Sequence, residues 1–215
     1  MSKSSKRWLA RQRRDQYVKR AADGELGSRA HFKLEQLDRR FALFSKRTGG
    51  VLELGAAPGG WTRYIASRTL RGPIVAVDLK SMTVPTGVEF LQIDLSEPDA
   101  EHELRSRFPS GADLVLSDMA PNISGVKDAD RAASEALVEL ATRWAEGLLN
   151  PGGSLVVKMF QGADIDGWLE RVRGSFERVV VAKPDASRLR SREVYGVALK
   201  RRVDSSRQVE GQSHV

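Results

Sequence analysis

The 215-residue chain has no cysteine. That absence removes disulfides, thiolate zinc sites and thiol nucleophiles together, and it fits a reducing compartment. Histidine is scarce. His31, His102 and His214 stand far apart, without the spacing of a ligand set, so no metal is expected. No apolar run approaches the ~20 residues needed to span a bilayer. The first residues also lack the apolar stretch of a secretory signal. A cytoplasmic protein that does not engage a membrane is therefore expected. No internal repeat is visible.

What is present is an ordinary globular composition with a basic bias. Hydrophobic residues make up 40% and charged residues 29%, which suits one domain with a sizeable core. The net charge is +7, and it is unevenly spread. Lys3, Lys6, Arg7, Arg11, Arg13, Arg14, Lys19 and Arg20 face the single acid Asp15, with Trp8 and Tyr17 interleaved. Such blocks often contact phosphate backbones. Residues 1–27 read as a basic arm broken by Gly24 and Gly27, 28–200 as the folded domain, and 201–215 as a disordered polar tail.

Ser28 is placed to cap a helix over Arg29 to Phe44, with Leu34, Leu37, Phe41 and Phe44 on one face. Beyond it, strand patterns at Val51–Leu54, Ile74–Asp78, Val88–Ile93, Ala112–Ser117, Ser154–Met159, Arg178–Ala182 and Val194–Leu199 alternate with helical ones. The helices fall at Trp61–Thr69, Ala100–Phe108, Asp128–Leu149 and Asp164–Phe176. The long helix presents Ala132, Ala136, Leu140 and Trp144 as its apolar stripe, and Asn150-Pro151-Gly152-Gly153 ends it. The alternation predicts an α/β fold: a seven-stranded, mostly parallel sheet with helices on both faces. Lys183 to Glu193 is too short for a crossover helix and contains Pro184, so the last strand should run antiparallel to its predecessor.

Ligands in such sheets sit beyond the carboxyl ends of the strands. Gly55–Gly60 follows the first strand as a glycine-rich turn into a helix, a place where backbone can approach a ligand closely. Its spacing matches neither dinucleotide enzymes nor, with Trp61 in the lysine position, the triphosphate loop. Asp78 ends the second strand, where an acid commonly accepts hydrogen bonds from ribose hydroxyls. Asp94 follows the third and Asp118 the fourth. Lys158 nears the end of the fifth, inside an apolar run where an unpaired charge is costly. Glu193 opens the antiparallel seventh strand and so reaches the same edge.

Five motifs, S-R-A-H-F-K-L, L-G-A-A-P-G-G-W, S-D-M-A-P-N, V-V-K-M-F-Q-G and K-P-D-A-S-R-L-R-S-R-E-V-Y, occur in this order between Ser28 and Lys200. With them the chain resembles the FtsJ-like (RrmJ, RlmE) family of S-adenosylmethionine-dependent ribose 2′-O-methyltransferases, particularly bacterial members acting on a uridine of 23S ribosomal RNA. The resemblance implies a Rossmann-like methyltransferase fold and a catalytic tetrad of Lys33, Asp118, Lys158 and Glu193. It also implies S-adenosylmethionine contacts at Gly59, Trp61, Asp78, Asp94 and Asp118, a ribosomal RNA partner within the large subunit, and a monomer. His31 stands where an aromatic would be expected. In the resulting scheme Lys158 is the general base, Lys33 the neighbouring cation, Asp118 orients Lys158 and Glu193 holds the lysines. The basic arm and the loop Lys183–Arg192 grip phosphates.

Transfer to tRNA or to an mRNA cap would use the same site. A non-catalytic RNA-binding assembly factor would not need all four tetrad residues. Base C5-methylation is disfavoured without a cysteine, base amino-methylation by the absence of an Asp/Asn-Pro-Pro-aromatic motif, and nicotinamide chemistry by the glycine spacing.

Overall fold

The computed structural model describes residues 29–45, 47–68, 70–162, 164–187 and 191–203. The basic arm, Ser28, Arg188, Arg190 and residues 204–215 lie outside them. The described elements run α1 (Arg29–Phe41), β1 (Val51–Leu54), α2 (Gly60–Ala66), β2 (Ile74–Asp78), β3 (Val88–Gln92), α3 (Asp99–Arg107) and β4 (Ala112–Ser117). Then follow α4 (Lys127–Leu148), β5 (Leu149–Phe160), α5 (Ile165–Arg173), β6 (Phe176–Ala182) and β7 (Glu193–Arg201).

The seven strands form one sheet in the order β3-β2-β1-β4-β5-β7-β6. Strands β1 to β5 pair in parallel, while β7 is antiparallel to both β5 and β6. The short β6–β7 connection could only reverse the chain, and β7 inserts between β5 and β6 rather than taking the sheet edge.

Side chains alternate across each strand, so a residue's face follows from its parity. Leu52, Leu54, Val115, Leu155 and Val157 pack with Leu104 of α3, Ala141 of α4 and Trp168 of α5. Val51, Leu114, Leu116, Val156 and Val197 pack on the other face with Leu34 of α1 and with Trp61 and Ile65 of α2. Both faces are thus covered, which explains the near-continuous apolar strands.

Local chemistry moves three predicted boundaries. Helix α1 ends at Phe41 rather than Phe44, because Ala42 turns left-handed at φ 52 and Asp38 Oδ1 accepts from the Phe44 backbone N–H at 3.0 Å. Strand β5 begins at Leu149 rather than Ser154. The Asn150–Gly153 turn is absorbed as an irregularity beside Ala112 and Leu114, with Asn150 Nδ2 bonded to Asp113 Oδ1 at 3.0 Å. Strand β7 runs to Arg201, and the Arg202 N–H reaches Ser175 O.

The inner stripe of α4 is also rotated from the predicted one. Ser134, Val138, Ala141, Thr142, Ala145 and Leu148 are buried, whereas Ala132 and Ala136 face solvent. Thr142 can turn inward because its hydroxyl donates to Val138 O and accepts from Trp168 Nε1 at 3.0 Å. No described helix is long and apolar enough to cross a membrane.

Candidate active site

Parity and register bring the site together. Leu116 is opposite Val156, and Lys158 is opposite Tyr195. Two residues further along, Asp118 therefore reaches the row that holds Lys158 and Tyr195, on the face covered by α1 and α2. Glu193 shares that face with Tyr195 and is paired with Phe160 at the end of β5. From across the face, α1 supplies Lys33.

These side chains form two linked pairs. Lys33 Nζ donates to Glu193 Oε2 at 2.8 Å. Lys158 Nζ donates to the backbone oxygen of Asp118 and lies 3.4 Å from its Oδ1. Both lysines are buried. Burial alone would raise the Glu193 carboxyl, but the Lys33 hydrogen bond and charge, Ser191 and the charge of Lys158 outweigh it and hold the carboxyl below its ordinary value. The structure thus brings Lys33, Asp118, Lys158 and Glu193 to one edge. Among the described residues Glu193 holds one lysine directly, Lys33.

Sequence reading assigned no role to Tyr195. Its ring is fully buried against Trp61, with centroids 5.7 Å apart, and its hydroxyl donates to Asp118 Oδ1 at 3.0 Å. Burial, and then the charges of Asp118 and Glu193, push its pKa well above the ordinary value, so it remains a donor. The available signal was its place two residues after Glu193, which puts both on one face.

Glu53 was also missed, because it sits among apolar residues at the centre of β1. It is completely buried, and Thr62 Oγ1 of α2 donates to its Oε2 at 2.7 Å. Desolvation first, with Asp118 and Asp78 adding to it, raises its pKa to about 8 despite the Thr62 hydrogen bonds. At neutral pH Glu53 is a neutral acid beneath the glycine turn.

A cavity of about 380 Å³ opens beside Asp118 and Lys158. Gly55 lines it, with φ 76. A Cβ there would sit 2.8 Å from the Met119 backbone, so only glycine fits. Asp78 lines the cavity and braces the turn, accepting from the Ala57 N–H at 2.9 Å and the Lys80 N–H at 2.8 Å. Each carboxylate oxygen keeps a further lone pair for a ligand.

Asp94 lines the same cavity from its exposed end. Its Oδ1 accepts from Ser96 Oγ at 2.6 Å and from the Ser96 N–H at 2.8 Å, which lower its pKa. Gly59 is the left-handed cap of α2, at φ 89. Neither Gly59 nor Trp61 lines the cavity. Trp61 is core, and its buried Nε1 has no hydrogen-bond partner among the described residues.

His31 is buried edge-on to Tyr64, with centroids 5.0 Å apart. Its pKa is lowered, chiefly by that burial, and also by Arg63 and Arg68 against the opposing pull of Glu35. It therefore packs as a neutral ring in the position where an aromatic was expected.

A glycine turn after β1, an acid closing β2, and a seventh strand inserted antiparallel between β5 and β6 define a Rossmann-like methyltransferase. The chain belongs to the FtsJ-like methyltransferase family, whose model matches residues 26–201. It is 46% identical over 199 residues to the ribosomal RNA large subunit methyltransferase E of Marinobacter nauticus, covering 92% of this chain and 96% of that protein. The protein of that name from Legionella pneumophila strain Paris is 46% identical over 200 residues, with the same coverage. A solved structure named as a ribosomal RNA methyltransferase of Plasmodium falciparum superposes with a TM-score of 0.72 at 30% identity, covering 81% of this chain and 97% of that one. A fibrillarin/Nop5p complex shares the fold at TM-score 0.53 and 18% identity.

Proposed function

We propose that the protein transfers a methyl group from S-adenosylmethionine to the 2′-oxygen of a uridine ribose in 23S ribosomal RNA of the large subunit. The observation that carries this reading is the pairing of buried Lys158 with half-buried Asp118 at the wall of the cavity, with Lys33 and Glu193 beside it. A ribose hydroxyl needs positioning and removal of one proton, and a lysine amine beside an orienting carboxylate can do both.

The cavity suits the cofactor. Its volume is that of a small-molecule site, Gly55 allows close backbone approach, Asp78 offers acceptors for ribose hydroxyls, and Asp94 offers one at the exposed end. S-adenosylmethionine supplies a methyl already activated on a sulfonium. The chain's own residues then hold the acceptor. Lys158 Nζ, in its neutral amine form, takes the 2′-hydroxyl proton and becomes an ammonium, Asp118 fixes the position of that amine, and Lys33, held by Glu193, contacts the acceptor oxygen. Tyr195 keeps Asp118 in one rotamer.

Support for an RNA partner comes from charge as well as from the relatives' names. Arg39 and Arg40 of α1 and Lys183 after β6 line a groove of about 360 Å³ on the α1 side. Lys183 Nζ donates to Ser191 O at 2.7 Å, drawing together the ends of the loop that carries Arg188 and Arg190. Cations spaced along a groove suit a phosphate backbone. The test is a map of ribose methylation on total RNA from cells with and without the gene. One uridine 2′-O-methyl group missing from 23S RNA when the gene is absent supports the reading. A mark missing from tRNA instead, or no missing mark, removes it.

A further inference from the structure

Among the described residues, four large apolar side chains stand well out in solvent: Leu79, Ile123, Val126 and Val203. Single exposed apolar residues are ordinary, but Ile123 (70% exposed) and Val126 (61%) lie three residues apart on one loop. That loop is not slack. The Ser124 N–H and hydroxyl each donate to Asp130 Oδ1 at 2.7 Å, and the Gly125 N–H donates to Oδ2 at 3.1 Å. The Asp130 N–H returns to Val126 O at 2.9 Å, and the Val126 N–H reaches Ser124 Oγ at 3.2 Å. Gly125, at φ 89 with open space around it, makes the turn. The backbone is braced so that the two apolar side chains point away from the core.

The placement is specific. The loop leaves β4 at Asp118; Asp118, Met119, Ala120 and Asn122 line the cavity, and Ile123 follows Asn122 directly in the chain. Lys127 and Asp128 offset one another beside the tip, so the tip offers apolar surface rather than a grip for phosphate. The partner such a surface fits, next to a group that acts on ribose, is a nucleobase. Single-stranded RNA is read by splaying bases onto side chains, and isoleucine is among the apolar wedges that part stacked bases.

We infer that Ile123, supported by Val126 and braced through Asp130, is the contact for a nucleobase at or beside the acceptor nucleotide and holds that base out of its stack while the ribose enters the site. This rests on the reading of the protein as an RNA ribose methyltransferase.

The experiment uses the full chain, with large ribosomal subunits and protein-free 23S RNA from cells lacking the gene as substrates. Ile123→Ser with Val126→Ser should lower kcat/KM by about tenfold or more on both substrates, the scale of removing one base-stacking partner. Ile123→Phe, which keeps an apolar contact for the base, should retain more kcat/KM than the double variant, and S-adenosylmethionine affinity by calorimetry should not move. Asp130→Asn, which leaves both apolar side chains in place, should fall between. Unchanged kcat/KM in the double variant overturns the inference. So does a parallel loss of cofactor affinity, which would make the loop a cover for the cofactor. A loss confined to assembled subunits also overturns it, since the loop would then be touching protein. A wild type that transfers no methyl to RNA ribose removes the functional reading and the inference together. A wild type that does so beside an unimpaired double variant removes the inference alone.

Discussion

The Tyr195 hydroxyl donates to Asp118 Oδ1 at 3.0 Å, joining two residues 77 positions apart at the carboxyl edge of the sheet. The same carboxylate oxygen lies 3.4 Å from Lys158 Nζ. In the proposed reaction Tyr195 acts through Asp118. Tyr195→Phe keeps the ring packed on Trp61 and removes only the donor. The expected result is a fall in kcat of roughly tenfold, with KM for RNA and cofactor affinity little changed. Stability should drop by about 1 kcal/mol, the scale of one buried hydrogen bond. A thermal melt alongside steady-state kinetics separates the two effects.

Glu53 gives a prediction in the opposite pH direction from most acids. Its ordinary value is 4.5, and burial raises the folded value to about 8. Between those values the unfolded chain releases this proton and the folded chain keeps it, so the group's contribution to stability falls as pH rises and levels off above about 8. Glu53→Gln keeps an acceptor for Thr62 without an ionisable proton. Denaturant melts from about pH 5 to about pH 9, spanning the shifted range, should show wild type losing stability relative to the variant as pH rises. A constant difference would contradict the assignment.

Glu193 behaves conversely. Its folded value lies below 4.5, so its contribution is complete above that pH and is lost as pH falls through the folded value. The stability difference between wild type and Glu193→Gln should therefore shrink on acidification below pH 4.5. Activity at neutral pH should fall less in this variant than in any Lys158 variant, because the substituted amide oxygen could still accept from Lys33.

The groove at Arg39, Arg40 and Lys183 predicts a salt signature. Neutralising all three should weaken RNA binding and flatten the slope of log affinity against log salt by about 0.7 to 0.9 for each phosphate that the variant leaves unneutralised. Cofactor binding should be unaffected. An unchanged slope would place the RNA elsewhere.

Much of this was legible in the chain, for identifiable reasons. Strands β1 and β2 are short apolar runs followed by the glycine turn and by an acid, so their limits were readable. The reach of Glu193 to the edge that holds Asp118 and Lys158 followed from a connection too short to cross over. What was hidden depends on partners distant in sequence. Glu53 looks like a polar interruption of β1 until Thr62 is seen above it. Tyr195 looks like core until register sets it beside Lys158. The Asn150–Gly153 turn reads as a stop signal, yet Asp113 and Ala112 draw it into β5. Periodicity also misjudged α4, since alanine tolerates either environment while Thr142 needed Val138 O and Trp168 to turn inward.

The central claim is that Lys158 removes the acceptor proton while the cavity beside it binds the cofactor independently. The most direct measurement is single-turnover methyl transfer by Lys158→Ala to large-subunit RNA lacking the mark, with S-adenosylmethionine affinity measured on the same preparation. The account predicts that transfer falls by at least about 100-fold, the scale of positioned proton transfer, with cofactor affinity within a few-fold of wild type. Transfer at the wild-type rate with the cofactor bound would contradict it.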